Sequence, residues 1–194
     1  KITIDISPRI VLSNASLYND VNRVFMEYID NSIDSAETLF TNDNSYERDI
    51  RINVNFEGVN TATRELTITD NCLGMDNDGL LHVIQDIGNS DKKAQSWTNG
   101  QFGYGVYSFL AICKDIEIIS KVESQQPRKI SINRDLFKKD KTSQAELLPP
   151  EVCQNHLFEH KSGTKIILKN FDMEHRYELS INKLKVEIEK HFEQ

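Results

Sequence analysis

The chain has little cysteine, no long apolar run and none of the common phosphate-binding signatures. Its three cysteines, Cys72, Cys113 and Cys153, are odd in number and far apart, so no disulfide framework is implied. A reducing, intracellular compartment is the default expectation, cytoplasmic or, in a eukaryote, nuclear. No stretch approaches the length of a membrane span and the opening residues lack a signal-peptide pattern, so no membrane partner is expected. Lysine and arginine number 23 against 30 carboxylates. That net charge of −7 argues against direct nucleic-acid binding by the domain, which needs clustered cations. The short Lys138-Lys139-Asp140-Lys141 run reads as a solvated loop. There are no internal repeats and no low-complexity tract.

What is present is an ordinary soluble composition, 38% hydrophobic and 27% charged over 194 residues. A chain of this length forms one domain and buries roughly 70% of the surface its unfolded form exposes. It opens on Lys1, which reads as the N-terminal fragment of a longer protein.

Ile2, Ile4 and Ile6 alternate like a strand that Pro8 ends. Apolar residues at Val21, Val24, Phe25, Tyr28, Ile29, Ile33 and Ala36 keep the helical period within a helix from about Tyr18 to Phe40. Ile50, Ile52, Val54 and Phe56 alternate strictly, and with Leu66 and Ile68 they predict a hairpin. A short helix over Asp76–Ile87, a polar loop over Gly88–Gly100 and a second apolar helix over Phe102–Cys113 follow. Strands are expected at Ile116–Lys121, Arg128–Asn133 and Lys165–Leu168, and a terminal helix at Leu179–Phe192. The segment from about 134 to 161 has no clean period and reads as an insertion. Helices and strands mix without regular alternation. The expected fold is therefore α+β, a two-layer sandwich of a mixed, mostly antiparallel sheet with helices on one face.

Four segments carry chemistry. Glu27, Asn31 and Asp34 stand at i, i+4 and i+7 and share one helix face, a carboxylate and carboxamide arrangement that suits a magnesium ion with a base above it. Thr69-Asp70-Asn71-Cys72-Leu73-Gly74-Met75 places an aspartate at a strand end, able to accept from an exocyclic amine, beside a glycine that lets backbone approach a planar ring. Gly100-Gln101-Phe102-Gly103-Tyr104-Gly105-Val106 precedes a helix and can converge N–H groups on an anion. It is not the dinucleotide fingerprint, because Ser108 holds the third glycine position, and no G-x-x-x-x-G-K-S/T occurs in the chain. Thr164 leads a strand and offers a hydroxyl to a purine edge. Each alone also reads as an ordinary turn or polar face. Cys153, His156 and His160 have metal-like spacing but no fourth ligand nearby, and read as ordinary residues.

In this order the four segments resemble the GHKL superfamily: gyrase B, the ninety-kilodalton heat-shock chaperones, MutL and MORC ATPases, and histidine kinases. Glu-x-x-Asp-Asn-x-x-Asp and Ser7-Pro8-Arg9-Ile10-Val11-Leu12 resemble the MutL and MORC form, the Gly-Gln-Phe-Gly segment fits MORC proteins or the chaperones, and a MORC-like domain is favoured with a chaperone-like one second. The resemblance implies a Bergerat-type fold, ATP and Mg²⁺ as ligands, and the following roles. Asn31 holds Mg²⁺, Glu27 is the general base, and Asp34 supports the nucleotide end of the helix. Asp70 reads the adenine amine, Gly74 admits the base, Met75 packs beside it, and Thr164 completes the pocket. Residues 87–105 form a lid in which Gly103 and Gly105 touch phosphate, and Ser90 and Lys92 lie there too. The implied behaviour is an ATP-driven switch that pairs two copies and works with domains downstream, the isolated fragment turning ATP over slowly. A non-hydrolysing nucleotide sensor and a histidine-kinase catalytic domain are the alternatives; Glu27 in the position of the water-activating base favours hydrolysis. Cys72 departs from the resemblance where a glycine is usual, which puts the local backbone angle and nucleotide affinity in question.

Overall fold

The computed structural model describes residues 1–4, 7–18, 20–41, 43–58, 63–85, 105–137, 145–176 and 180–192. Strands β2 (Ile52–Glu57), β3 (Glu65–Asp70), β4 (Cys113–Lys121), β5 (Arg128–Asn133), β7 (Glu151–Val152) and β8 (Gly163–Phe171) form a six-stranded sheet in the order β2-β3-β8-β4-β5-β7. Every described pairing is antiparallel. A second, two-stranded sheet joins β1 (Ile2–Thr3) to β6 (Glu146–Leu147).

Alternation along the strands builds the inner face. Leu66, Leu168 and Ile116 form one cross-strand row, and Ile68, Ile166 and Ile118 form the next. Nearly all of these six are fully buried. Helix α2 (Val21–Glu37) buries Val21, Val24, Phe25, Tyr28, Ile29 and Ala36 of the periodic face read from the sequence, with Met26 and Ser32 added and Ile33 only partly buried. Phe25 meets Phe56 and Phe171 edge-on, at centroid separations of 6.1 and 6.5 Å. The helix starts where the Asp20 side chain accepts from the Asn22 N–H at 2.8 Å.

Three segments differ from the periodic reading. Pro8 opens helix α1 (Pro8–Ala15), where its missing N–H costs nothing in the first turn. Residues Gly105–Ala111 form a 3₁₀ helix, and Cys113 already belongs to β4. The 134–161 segment contributes β6 and β7 to the two sheets and buries Phe137, Leu147 and Phe158. Helices α3 (Asn77–Gln85), α4 (Met173–Arg176) and α5 (Ile181–Phe192) complete the described elements. Arg134 makes a bidentate ion pair with Asp172 at 2.7 and 2.6 Å and donates to the Leu110 carbonyl, tying the 3₁₀ helix to the end of β8.

Candidate functional site

The apolar rows of the sheet end in a polar one. Beyond Ile68, Ile166 and Ile118 stand Asp70 on β3, Thr164 on β8 and Ser120 on β4, with Ser120 directly paired to Thr164. Asp70 is 3% exposed. Its Oδ1 accepts the N–H groups of Cys72 at 2.9 Å and Thr164 at 3.1 Å, and its Oδ2 accepts the Ser32 hydroxyl at 3.0 Å. Burial holds the carboxyl above its usual range, against these three bonds, which favour the anion. Ser120 Oγ accepts the Met75 N–H at 2.7 Å, donates to the Gly163 carbonyl at 3.1 Å and meets Thr164 Oγ1 at 2.9 Å.

The turn after β3 is fixed from outside. Ser162 Oγ donates to the Cys72 carbonyl at 2.6 Å and accepts from Arg48 at 2.8 Å, while Arg48 also donates to the Asn71 carbonyl. The Asn71 side chain accepts from the Arg51 N–H and donates to the Asp49 carbonyl, both at 2.8 Å. Gly74 has φ +73°, the left-handed region that favours glycine. Cys72 is absent from the left-handed positions among the described residues. Its thiol is fully buried with Ala36 and Leu39 and pushed up to about 12, first by burial and then by the Asp70 charge. The side chain thus fits where the resemblance has glycine, without an unusual backbone angle.

On α2, the polar face lies over the start of the 3₁₀ helix. A Cβ placed on Gly105 would stand 3.0 Å from Glu27 Oε2 and 3.8 Å from Asn31 Nδ2, so the backbone there approaches both side chains closely. Asn31 is exposed, and Glu27 and Asp34 are half-buried. Burial first, and then the charge of Glu27, pushes the Tyr18 phenol up to about 12. Ser32, one residue beyond Asn31, carries the same helix to Asp70.

Two groups of the expected residues are therefore each drawn together: Glu27, Asn31 and Gly105 at the helix, and Asp70, Gly74, Met75 and Thr164 at the sheet end. Val106 is buried, its carbonyl accepting the Tyr28 hydroxyl. Ser90, Lys92, Gly100, Gln101, Phe102, Gly103 and Tyr104 lie outside the described residues, as does most of the 87–105 segment. Ser32, Ser120 and Ser162 join the site without a motif of their own in the sequence. The available signals are a serine on the core-packed face of α2 and the place of Ser162 two residues before Thr164. Among the described residues no three His, Cys, Asp or Glu side chains converge as metal ligands; Cys153 instead donates to the Pro127 carbonyl.

Residues 18–164 match the family described as histidine kinase-, DNA gyrase B- and HSP90-like ATPases. The chain belongs to this family. Its antiparallel sheet with helices packed on it is the α+β fold the resemblance implied. Among curated proteins, the chaperone protein HtpG of Shewanella amazonensis is 30% identical over 121 residues, 55% of this chain and 19% of that protein. HtpG of Escherichia coli K12 is 29% identical over 130 residues, 58% of this chain and 20% of that protein. The chain thus spans about a fifth of the length of these relatives, and they carry the chaperone side of the resemblance. No helix among the described residues is long and apolar enough to cross a membrane.

Proposed function

We propose that this domain binds ATP with Mg²⁺ along α2 and hydrolyses it through Glu27. The observation that carries the reading is the convergence of Glu27 and Asn31 on the Gly105 backbone, with Asp70 bonded to the next residue of the same helix. At the sheet end, Asp70 Oδ2 keeps acceptor capacity beyond the Ser32 hydroxyl for the amine of adenine. The Thr164 hydroxyl stands beside it, held by Ser120. Gly74 and Met75 border the base, and Asp34 supports the helix end nearest it.

The donor set fits an ion that arrives with the nucleotide: one neutral amide oxygen from Asn31 and, among the described residues, no cluster of carboxylates. Asn31 would hold Mg²⁺, which supplies charge neutralisation at the phosphates. Glu27 accepts a proton as water oxygen bonds to the γ-phosphorus and the bond to the ADP oxygen breaks. By the resemblance, Gly100, Gln101, Phe102, Gly103, Tyr104 and Gly105 would contact the phosphates, and Ser90 and Lys92 would belong to the lid. Nucleotide-dependent pairing of two copies and action through downstream domains complete the switch. The chain alone turns ATP over slowly, inside the cell.

The test is calorimetric ATP·Mg²⁺ binding on the wild type, Asn31→Ala and Glu27→Ala, followed by single-turnover hydrolysis. Binding lost with Asn31→Ala, and hydrolysis reduced at least 100-fold with binding kept in Glu27→Ala, is the expected result. Wild-type binding without hydrolysis, in this chain and in a longer one, would make the domain a nucleotide sensor.

A further inference from the structure

Tyr28 takes no part in the chemistry above, yet it is among the largest fully buried side chains, 2% exposed. Its hydroxyl sits between two backbone groups of the 3₁₀ helix, donating to the Val106 carbonyl at 3.1 Å and accepting the Phe109 N–H at 3.1 Å. A phenylalanine would fill nearly the same core volume but lacks the hydroxyl that bonds both of these buried groups. The bonds reach 78 and 81 residues along the chain. They join the helix turn that bears Glu27 to the residue immediately after Gly105. Burial pushes the phenol far above its usual range, so it remains a donor at any working pH.

We infer that Tyr28 is a positioning residue: its hydroxyl fixes the Gly105 backbone against Glu27 and Asn31 and thereby sets the phosphate end of the nucleotide site. The inference rests on the ATP reading given above. A displacement of the Gly105 backbone changes what phosphate groups meet and leaves the Asp70 end untouched, so its signature is selective.

The experiment compares ATP·Mg²⁺ and adenosine affinities for the wild type, Tyr28→Phe and Ile132→Ala, the last a buried β5 position that serves as a control for lost stability. Tyr28→Phe is expected to bind ATP about tenfold more weakly with adenosine affinity unchanged, and Ile132→Ala to change neither. Equal loss for both ligands in Tyr28→Phe makes the hydroxyl merely structural and overturns the inference, as does unchanged ATP affinity. A wild type that binds neither ligand overturns the ATP reading and this one together. Should Tyr28→Phe fail to fold, Gly105→Ala probes the same close approach from the other side, its new Cβ meeting the end of the Glu27 side chain at 3.0 Å. The same ATP-selective loss is expected there, and unchanged ATP affinity overturns the inference.

Discussion

Replacing Asp70 by alanine removes the acceptor of three hydrogen bonds at once, stranding the Ser32 hydroxyl and the N–H groups of Cys72 and Thr164. Each buried orphan costs about 1–3 kcal/mol. Part of this is offset because the carboxylate is itself desolvated in the wild type, as its raised pKa records. A net loss of about 3 kcal/mol lowers the melting temperature by about 6–12 °C in a domain of this size. Asparagine has the same shape: its Oδ1 still accepts both N–H groups and its Nδ2 donates to Ser32 Oγ. Asp70→Asn should therefore melt within about 3 °C of the wild type at neutral pH. It should also lose about a hundredfold in ATP affinity, because an amide nitrogen then faces the adenine amine. The two variants separate with pH. A carboxyl whose pKa is raised on folding binds its proton more tightly in the folded state than in the unfolded one. Its contribution to stability is present below the ordinary aspartate value of 3.8 and is lost as pH rises through the folded pKa. Asp70→Asn lacks this slope, so its melting temperature relative to the wild type must climb from about pH 4 upward. Melting curves by circular dichroism between pH 4 and 8, with calorimetric titration of ATP, make the check. An Asp70→Ala melting point within about 2 °C of the wild type, or a difference for Asp70→Asn that stays flat with pH, would refute this account.

Two further substitutions test the turn after β3. Gly74→Ala forces a side chain into φ +73° and aims its Cβ at the carbonyls of Lys121 and Gly163, a paired rung of β4 and β8. A loss of about 3 kcal/mol or more in urea unfolding is expected, and a loss under about 1 kcal/mol would show that the rung gives way. Cys72→Gly restores the residue usual in the resemblance but empties a fully buried site beside Ala36 and Leu39. It should destabilise by about 1–2 kcal/mol and leave ATP affinity unchanged; a more stable variant, or one that binds ATP tenfold tighter, contradicts the accommodation of the thiol.

Periodicity made the long elements legible. The apolar face of α2 and the alternation of β2 and β3 are local signals, each repeated over several residues. The acidic and amide positions of α2 followed from the same helix. Pro8 shows the limit: a proline after alternating isoleucines marks a strand end and a helix start equally well, and only the helix after it decides. Strands β6 and β7 have two residues each and leave no period to detect; their partners, Ile2–Thr3 and Arg128–Lys129, lie elsewhere in the chain. Tyr28 and Ser32 both lie on the buried face of α2, where sequence cannot separate a packed ring from a ring with two hydrogen bonds, or a small filler from a partner of Asp70.

The place of β8 in the sheet has a consequence for synthesis. It is the last of the described strands, yet it lies between β3 and β4. As the polypeptide leaves the ribosome, the β2–β3 and β4–β5 hairpins emerge first with no common neighbour, each presenting an unpaired edge. Residues 163–171 then knit them together. The same strand delivers the Thr164 N–H to Asp70 and the Gly163 carbonyl to Ser120. A nascent chain stalled or cut before residue 163 therefore keeps the β3 and β4 edges open, ready templates for aggregation, and lacks the backbone groups that bond Asp70 and Ser120.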